Sequence, residues 1–208
     1  MLIHCVRHGE SSYNAEGRIQ GQSDPALSEL GRRQGEAVAE ALAQLPIDAV
    51  YSSPLRRAMQ TARPLADALQ LEVRTDDRLM EVHAGDFQDQ LRTDLEALRP
   101  EEMARWRSGD PDFALPGGET RRHLMQRGLE VFQQIADNAH KQVVVVTHGG
   151  LLAAALKALL GVPARRHPFL LYNGSISRLR STVGEVKLLS LNQVDHLNRV
   201  GFGGRGDL

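Results

Sequence analysis

Four consecutive valines, Val143 to Val146, stand between polar Gln142 and Thr147. β-Branched side chains favour extended backbone, and a short run with no polar alternation is a strand covered on both faces. That segment constrains the fold more than any other, because both faces of such a strand must be roofed. The flanking sequence supplies the roof. Glu119 to Ala139 repeats Leu124, Leu129, Val131, Phe132 and Ile135 at helical spacing. Leu151 to Leu160, entered through a Gly149-Gly150 turn, is a second apolar helix.

The rest of the chain alternates in the same way. Leu2 to Val6 reads as a buried strand, followed by a Gly- and polar-rich stretch from Gly9 to Pro25. Ser28 is placed to cap a helix that turns Leu30, Val38, Ala41, Leu42 and Leu45 inward. Ile47 to Tyr51 is the next strand and Ser52-Ser53-Pro54 its exit. Pro54 stands near the start of a helix reaching about Leu69, with a bend expected at Pro64. Leu71 to Arg74 is a short strand. Residues 78–116 hold Trp106, many charges and few regular signals, so they read as short helices and loops over one face, with a cap-like insert at about 86–116. Ser175 to Leu179 and Glu185 to Leu191 form a terminal hairpin turning near Gly184, and residues 201–208 a flexible Gly-rich tail. No repeat or linker divides the chain, so residues 1–208 read as one domain. The alternation of strand and helix makes the class α/β.

Composition narrows the function. The 208 residues suffice for a core without staples. The formal net charge of −1 supplies no field to draw the chain to nucleic acid or to an anionic membrane. The single cysteine, Cys5, excludes an internal disulfide framework and a multi-cysteine metal knuckle. The longest apolar stretch, Leu151 to Val162, is broken by Lys157 and falls short of the roughly 20 residues that span a bilayer. Met1 to Val6 has no charged region before it, so it does not read as a signal peptide. A cytoplasmic protein is expected. Of 25 basic residues three are lysine; arginine suits bidentate phosphate recognition, but base composition is the preferred account of most of the bias.

In open α/β sheets ligands bind beyond the carboxyl ends of the strands. Three exits qualify here: Arg7-His8, Ser52 to Arg57, and Thr147-His148. Arginine offers a planar fork of donors to a phosphate edge, and neutral imidazole is a competent nucleophile toward phosphorus. Taken singly, Arg7 and His8 end a strand, Arg57 is a solvated helix residue, His148 a structural histidine and Glu81 a loop acid. Cys5 is a rival nucleophile, but the loop of cysteine-dependent phosphatases needs an arginine six residues on, where Ser11 stands. His4, His123, His140, His167 and His196 show no partner pattern and read as structural or exposed. Arg205-Gly206-Asp207 in the tail carries little weight.

Together the exits resemble a known pattern. Arg7-His8-Gly9-Glu10-Ser11, then Asn14, then Arg18-Ile19-Gln20-Gly21 and Asp24-Pro25-Ala26-Leu27-Ser28-Glu29-Leu30-Gly31 are similar to the first motif of the histidine phosphatase superfamily, the phosphoglycerate-mutase-like proteins. Ser52-Ser53-Pro54-Leu55-Arg56-Arg57-Ala58-Met59-Gln60-Thr61-Ala62 resembles its second motif. Leu79-Met80-Glu81-Val82-His83-Ala84-Gly85 resembles its third, and Pro116-Gly117-Gly118-Glu119-Thr120 and Val146-Thr147-His148-Gly149-Gly150 complete the set in order. The resemblance implies a phosphoglycerate-mutase-like three-layer sandwich, a mostly parallel central sheet with helices on both faces. It implies that His8 takes the phosphoryl group, that Arg7, Arg57 and His148 clamp its oxygens, and that Glu81 protonates the leaving oxygen, a role that needs a carboxyl group kept protonated part of the time. Asn14, the Gln20-Gly21 backbone and Gly149 would line the phosphate pocket. His83 either faces the substrate or packs on its loop. The resemblance implies no metal and no cofactor.

One departure stands out. After Gly85 the family often has an aromatic, an acid and a glycine; here Asp86-Phe87-Gln88-Asp89-Gln90 lacks that glycine, which puts the loop shape in question. The leading expectation is a metal-independent phosphatase of small-metabolite phosphomonoesters, such as phosphoserine, sugar-linked phosphoglycerate or ribazole phosphate. A phosphoglycerate mutase using the same residues is the alternative, although that branch usually carries a longer insert before its Pro-Gly-Gly motif. A non-catalytic phosphate-binding protein is a third reading. The expected partner is a small phosphorylated metabolite, with no nucleic acid and no membrane; a homodimer is compatible with the sequence.

Overall fold

The computed structural model describes residues 1–183 and 185–201. The expected turn at Gly184, residues 202–208 of the tail and the Arg205-Gly206-Asp207 tripeptide lie outside the described residues. The valine strand, β4 (Gln142–Thr147), is central. β1 (Leu2–Arg7) pairs parallel along one edge of it and β2 (Ala49–Ser52) along the other. β3 (Val73–Thr75) continues the parallel set beyond β2. β5 (Ile176–Thr182) and β6 (Glu185–Gln193) add an antiparallel hairpin beyond β1, giving the order β3-β2-β4-β1-β5-β6.

The four valines divide between the two faces, as the two-residue period of a strand requires. Val143 and Val145 join Ile3, Cys5, Phe132 and Leu151 in one core. Val144 and Val146 join Val6, Val38, Leu42 and Leu65 in the other. Each fully buried valine contributes about 1.5–3 kcal/mol. The first core lies under α6 (Arg121–Ala136) and α7 (Gly149–Leu159), which pack on each other. The second lies under α2 (Glu29–Leu42) and α3 (Arg56–Leu69), which follow the short α1 (Ser12–Glu16). This is a three-layer α/β sandwich with a mostly parallel sheet. Among the described residues no helix is long and apolar enough to cross a membrane.

Local chemistry sets the element ends. Ser28 caps α2 by accepting from the Gly31 N–H at 3.0 Å. Ala41 is exposed, not inward: Val38 and Leu42 take the buried face and the hundred-degree step turns Ala41 to solvent. The second strand starts at Ala49, two residues later than expected, and the third covers Val73–Thr75. α3 begins at Arg56 with Leu55 before it, and Pro64 lies within the helix. Glu119 precedes α6, because Thr120 is the cap. Gly149 and Gly150 form the first turn of α7 instead of a turn before it, since a carboxylate receives that turn's amides, as described below. Between single 3₁₀ turns at Asp77–Leu79 and Gly85–Phe87 and the start of α6, the chain forms two short helices, α4 (Arg92–Leu98) and α5 (Pro100–Arg107). In place of the missing glycine, Asp89 adopts φ 70° and its N–H reaches the Ile19 carbonyl at 2.8 Å. Aspartate is among the few residues that tolerate this left-handed conformation, so the backbone here turns left-handed without glycine.

Candidate active site

Strand register assembles the site. Arg7 pairs with Thr147 across β1 and β4, so His8 and His148 leave the sheet side by side. Ser52 pairs with Val146, which brings Ser53 to the same edge. The rings of His8 and His148 stand 5.0 Å apart and are tilted by 60°. Arg7, His8, Arg57 and His148 are all buried.

His8 is held in one tautomer. Its Nδ1 lies 2.6 Å from the Gly9 carbonyl, an acceptor only, so Nδ1 carries the proton. Nε2 therefore presents a lone pair, toward which Arg57 Nε donates at 3.2 Å. Arg57 is itself fixed by the carbonyls of Ser23 and Gly21, each at 2.8 Å. Arg7 donates to the Leu171 carbonyl at 2.7 Å. His148 Nε2 shares a 2.8 Å hydrogen bond with Ser53 Oγ, while its buried Nδ1 meets no partner among the described residues. With the Ser53 hydroxyl donating, Nδ1 is the protonated nitrogen and a donor with no protein acceptor among the described residues. Burial, then the Arg57 guanidinium, holds both imidazoles well below their usual pKa. Both rings are therefore neutral at physiological pH.

Glu81 is tied to the helix that starts directly after His148. Its Oε2 accepts the Gly150 N–H at 2.9 Å and its Oε1 the Leu151 and Val82 N–H groups at 2.9 and 2.8 Å. The first turn of α7 is thus capped by a carboxylate from another loop. A Cβ at Gly150 would lie 2.5 Å from Glu81 Oε1, so this position has no room for a side chain. Glu81 lines a small cleft with Gln20, Gly21 and Trp106.

The expected pocket residues divide. Gln20 is buried and accepts from Ser11 Oγ at 2.6 Å, and the Gly21 carbonyl orients Arg57. Asn14 Oδ1 accepts from Ser11 and from Asn173 Nδ2, which also donates to the His8 carbonyl. Gly149 lies against Arg7 in the wall of a larger cavity. His83 belongs to its own loop: its Nδ1 accepts the Gly85 N–H at 3.1 Å and its backbone exchanges hydrogen bonds with Glu119. Cys5 is fully buried in the core, and burial pushes its thiol up, as suits an inert residue.

Sequence reading missed several supports. Thr61 accepts the Gly9 N–H at 3.0 Å and donates to the Arg57 carbonyl, one helical turn away. Arg127 and Glu119 form an ion pair under the Glu81 loop. Lys157 and His167 line the larger cavity, His167 as an exposed residue at its rim. Thr61 and Glu119 lay inside quoted motifs and could have been singled out; Arg127, Lys157 and His167 had no sequence signal.

The profile of the histidine phosphatase superfamily (branch 1) matches residues 3–194, and the chain belongs to that family of enzymes. Glucosyl-3-phosphoglycerate phosphatase of Mycolicibacterium vanbaalenii is 40% identical over 173 residues, covering 79% of this chain and 76% of the relative. Phosphoglycerate mutase-like protein 4 of Arabidopsis thaliana is 38% identical over 206 residues, covering 96% of this chain and 88% of the relative. A mycobacterial glucosyl-3-phosphoglycerate phosphatase solved with VO3 superposes with a TM-score of 0.84 at 37% identity, covering 92% of this chain and 98% of that one.

Proposed function

We propose that the chain is a metal-independent phosphatase that hydrolyses small phosphomonoesters through a phosphohistidine on His8. The observation that carries this reading is the tautomer of His8: Nδ1–H bound to the Gly9 carbonyl leaves the Nε2 lone pair facing the arginine-lined centre. In the first step Nε2 attacks phosphorus, the ester P–O bond breaks, and the leaving oxygen takes a proton from Glu81. In the second, water gives a proton to Glu81 and attacks phosphorus, the N–P bond breaks, and phosphate departs. Arg7, Arg57 and His148 Nδ1–H supply donors to the equatorial oxygens, where charge must be held. Arginine charge does here what a metal does elsewhere. Glu81 accepts three N–H groups on roughly four lone-pair positions, which leaves one position for the proton it relays.

Two considerations support hydrolysis over transfer to a bound acceptor. A relative at 40% identity is named as a phosphatase. The segment from Gly85 to Pro116 is also compact, holding only two short helices. The lone Cys5, buried and free, suits a reducing cytoplasm.

The test is release of phosphate from a panel of monoesters with chelator present, scoring 3-phosphoglycerate for both hydrolysis and isomerisation. Rapid quenching should trap an acid-labile, base-stable phosphoenzyme that His8→Ala lacks. Isomerisation without release would make the chain a mutase, and full turnover by His8→Ala would end the phosphohistidine mechanism.

A further inference from the structure

A cavity of about 350 Å³ opens beside the phosphate site and shares Arg7 and Gly149 with it. Its volume is at the lower end of small-ligand pockets. Its wall carries Arg92, Arg107, Arg121 and Lys157, and no Asp or Glu among the described residues. Arg107 is paired with Glu96 outside the cavity. Arg121 and Lys157 have no carboxylate within ion-pair distance among the described residues. Arg121 donates to the Trp106 carbonyl at 2.6 Å. Lys157 Nζ donates to the Ala164 carbonyl at 3.1 Å and lies 3.3 Å from His167 Nδ1. Lys157 is 5% exposed.

Two cations facing one cavity with no carboxylate in its wall are an unusual arrangement, because a charge drawn out of water is normally ion-paired. Burial, then the neighbouring Arg121, lowers Lys157 to a pKa of about 8. The same cavity wall offers Trp106 and Phe169 as apolar surface. An anion delivered by a ligand would complete this site.

We propose that the cavity is a second anion subsite: the substrate is a phosphomonoester that also bears a carboxylate, which Arg121 and Lys157 hold while its phosphoryl group sits at His8. This rests on the phosphatase reading and deepens it. Esters of the same size without the second charge leave the two cations unpaired and bind less well.

The first experiment compares 3-phosphoglycerate with glycerol 3-phosphate, which replaces the carboxylate by a hydroxymethyl group. Wild type should prefer the carboxylate ester by about tenfold or more in kcat/KM, the scale of a charge-assisted hydrogen bond. Lys157→Met and Arg121→Met should each shrink that ratio toward one. Equal rates on both esters in wild type, or an unchanged ratio in both variants, would overturn the subsite. The second experiment needs no turnover and no variant. Calorimetry measures wild-type binding of 3-phosphonopropionate and of propylphosphonate, whose P–C bonds are not hydrolysed. Tenfold tighter binding of the first supports the subsite even if no ester is cleaved, in which case only the phosphatase reading fails. Equal binding rejects the subsite whatever the enzyme hydrolyses.

Discussion

Arg127 and Glu119 form a two-pronged ion pair, Nη2 to Oε1 at 2.5 Å and Nε to Oε2 at 3.1 Å, beneath the loop that carries Glu81. The remaining Arg127 donors go to the carbonyls of Arg78, Met80 and Glu81. Glu119 in turn accepts the His83 N–H at 2.9 Å. One guanidinium thus fixes both ends of the turn between two motifs, and Arg127 is a positioning residue. Arg127→Met removes the main partner of a buried carboxylate, leaving it His123 Nδ1 at 2.9 Å, and should cost about 3 kcal/mol in urea unfolding, the lower end for a broken buried pair. Arg127→Lys keeps the charge but loses the fork; it should unfold more easily than wild type and lower kcat with little change in KM. A kcat equal to wild type in the lysine variant would mean the loop holds Glu81 without this pair.

Acid should weaken the fold from the same region. Burial works to raise the Glu119 pKa, but the Arg127 guanidinium and the His83 N–H outweigh it and hold the carboxyl below its usual range. A depressed carboxylate stabilises above the unfolded value and loses that contribution as pH falls through the folded one.

The histidines act at higher pH. His8 and His148 are neutral in the folded state because burial, then Arg57, lowers their pKa well below 6.5. The unfolded chain binds protons that the folded chain refuses once pH drops under that value. Their contribution is therefore full above about pH 6.5 and lost as pH falls below it. Unfolding titrations from pH 7.5 to 5 should show stability declining, with a slope approaching about 1.4 kcal/mol per pH unit for each histidine. His148→Gln should reduce that slope. Saturating inorganic phosphate should flatten it, because a bound anion lets an imidazole accept its proton. A slope that is the same with and without phosphate would contradict this account.

Glu81 makes a distinct kinetic prediction. Glu81→Gln removes the proton donor and turns an amide toward the Gly150 and Leu151 N–H groups, costing about 1–3 kcal/mol of stability. With an alkyl phosphate, kcat should fall by about 10²–10⁴, the range of general acid–base catalysis. With p-nitrophenyl phosphate, whose leaving group needs no proton, phosphoenzyme formation should fall far less. Equal losses on both esters would assign Glu81 to holding α7 alone.

Much of this was legible in the chain, and the reason is local. The valine strand announced a sheet covered on both faces, and Arg7-His8, Arg57 and Thr147-His148 stood at strand exits, where sequence order and chemistry coincide. Other features depend on pairings that no neighbour in sequence reports. Gly149 and Gly150 read as a turn because glycine usually marks one; only the Glu81 carboxylate, 69 residues earlier in the chain for Gly150, makes them the first turn of a helix. Lys157 read as an interruption of an apolar helix, and its burial beside Arg121 appears only when α6 packs on α7. Asp89 stands where glycine was expected, and it adopts the left-handed backbone that glycine favours.

Gly31 supplies the last test. It sits in the first turn of α2, directly over the backbone that follows His8. A Cβ built at Gly31 would lie 1.9 Å from the Glu10 carbonyl oxygen, and one at Gly9 would lie 2.4 Å from the Gly31 carbonyl oxygen. Both obstacles are backbone, so no side-chain rotation can relieve them. Alanine is otherwise the better helix former by roughly 1 kcal/mol, so propensity alone favours Gly31→Ala. Contact geometry points the other way. The variant must push α2 off the His8 loop, and it should unfold at lower urea with a loss of roughly 1–3 kcal/mol typical of overpacking. Because Gly9 holds the His8 ring through its carbonyl, phosphoenzyme formation should slow as well. A Gly31→Ala protein more stable than wild type would show that the helix moves freely and that the close approach is not what fixes the nucleophile.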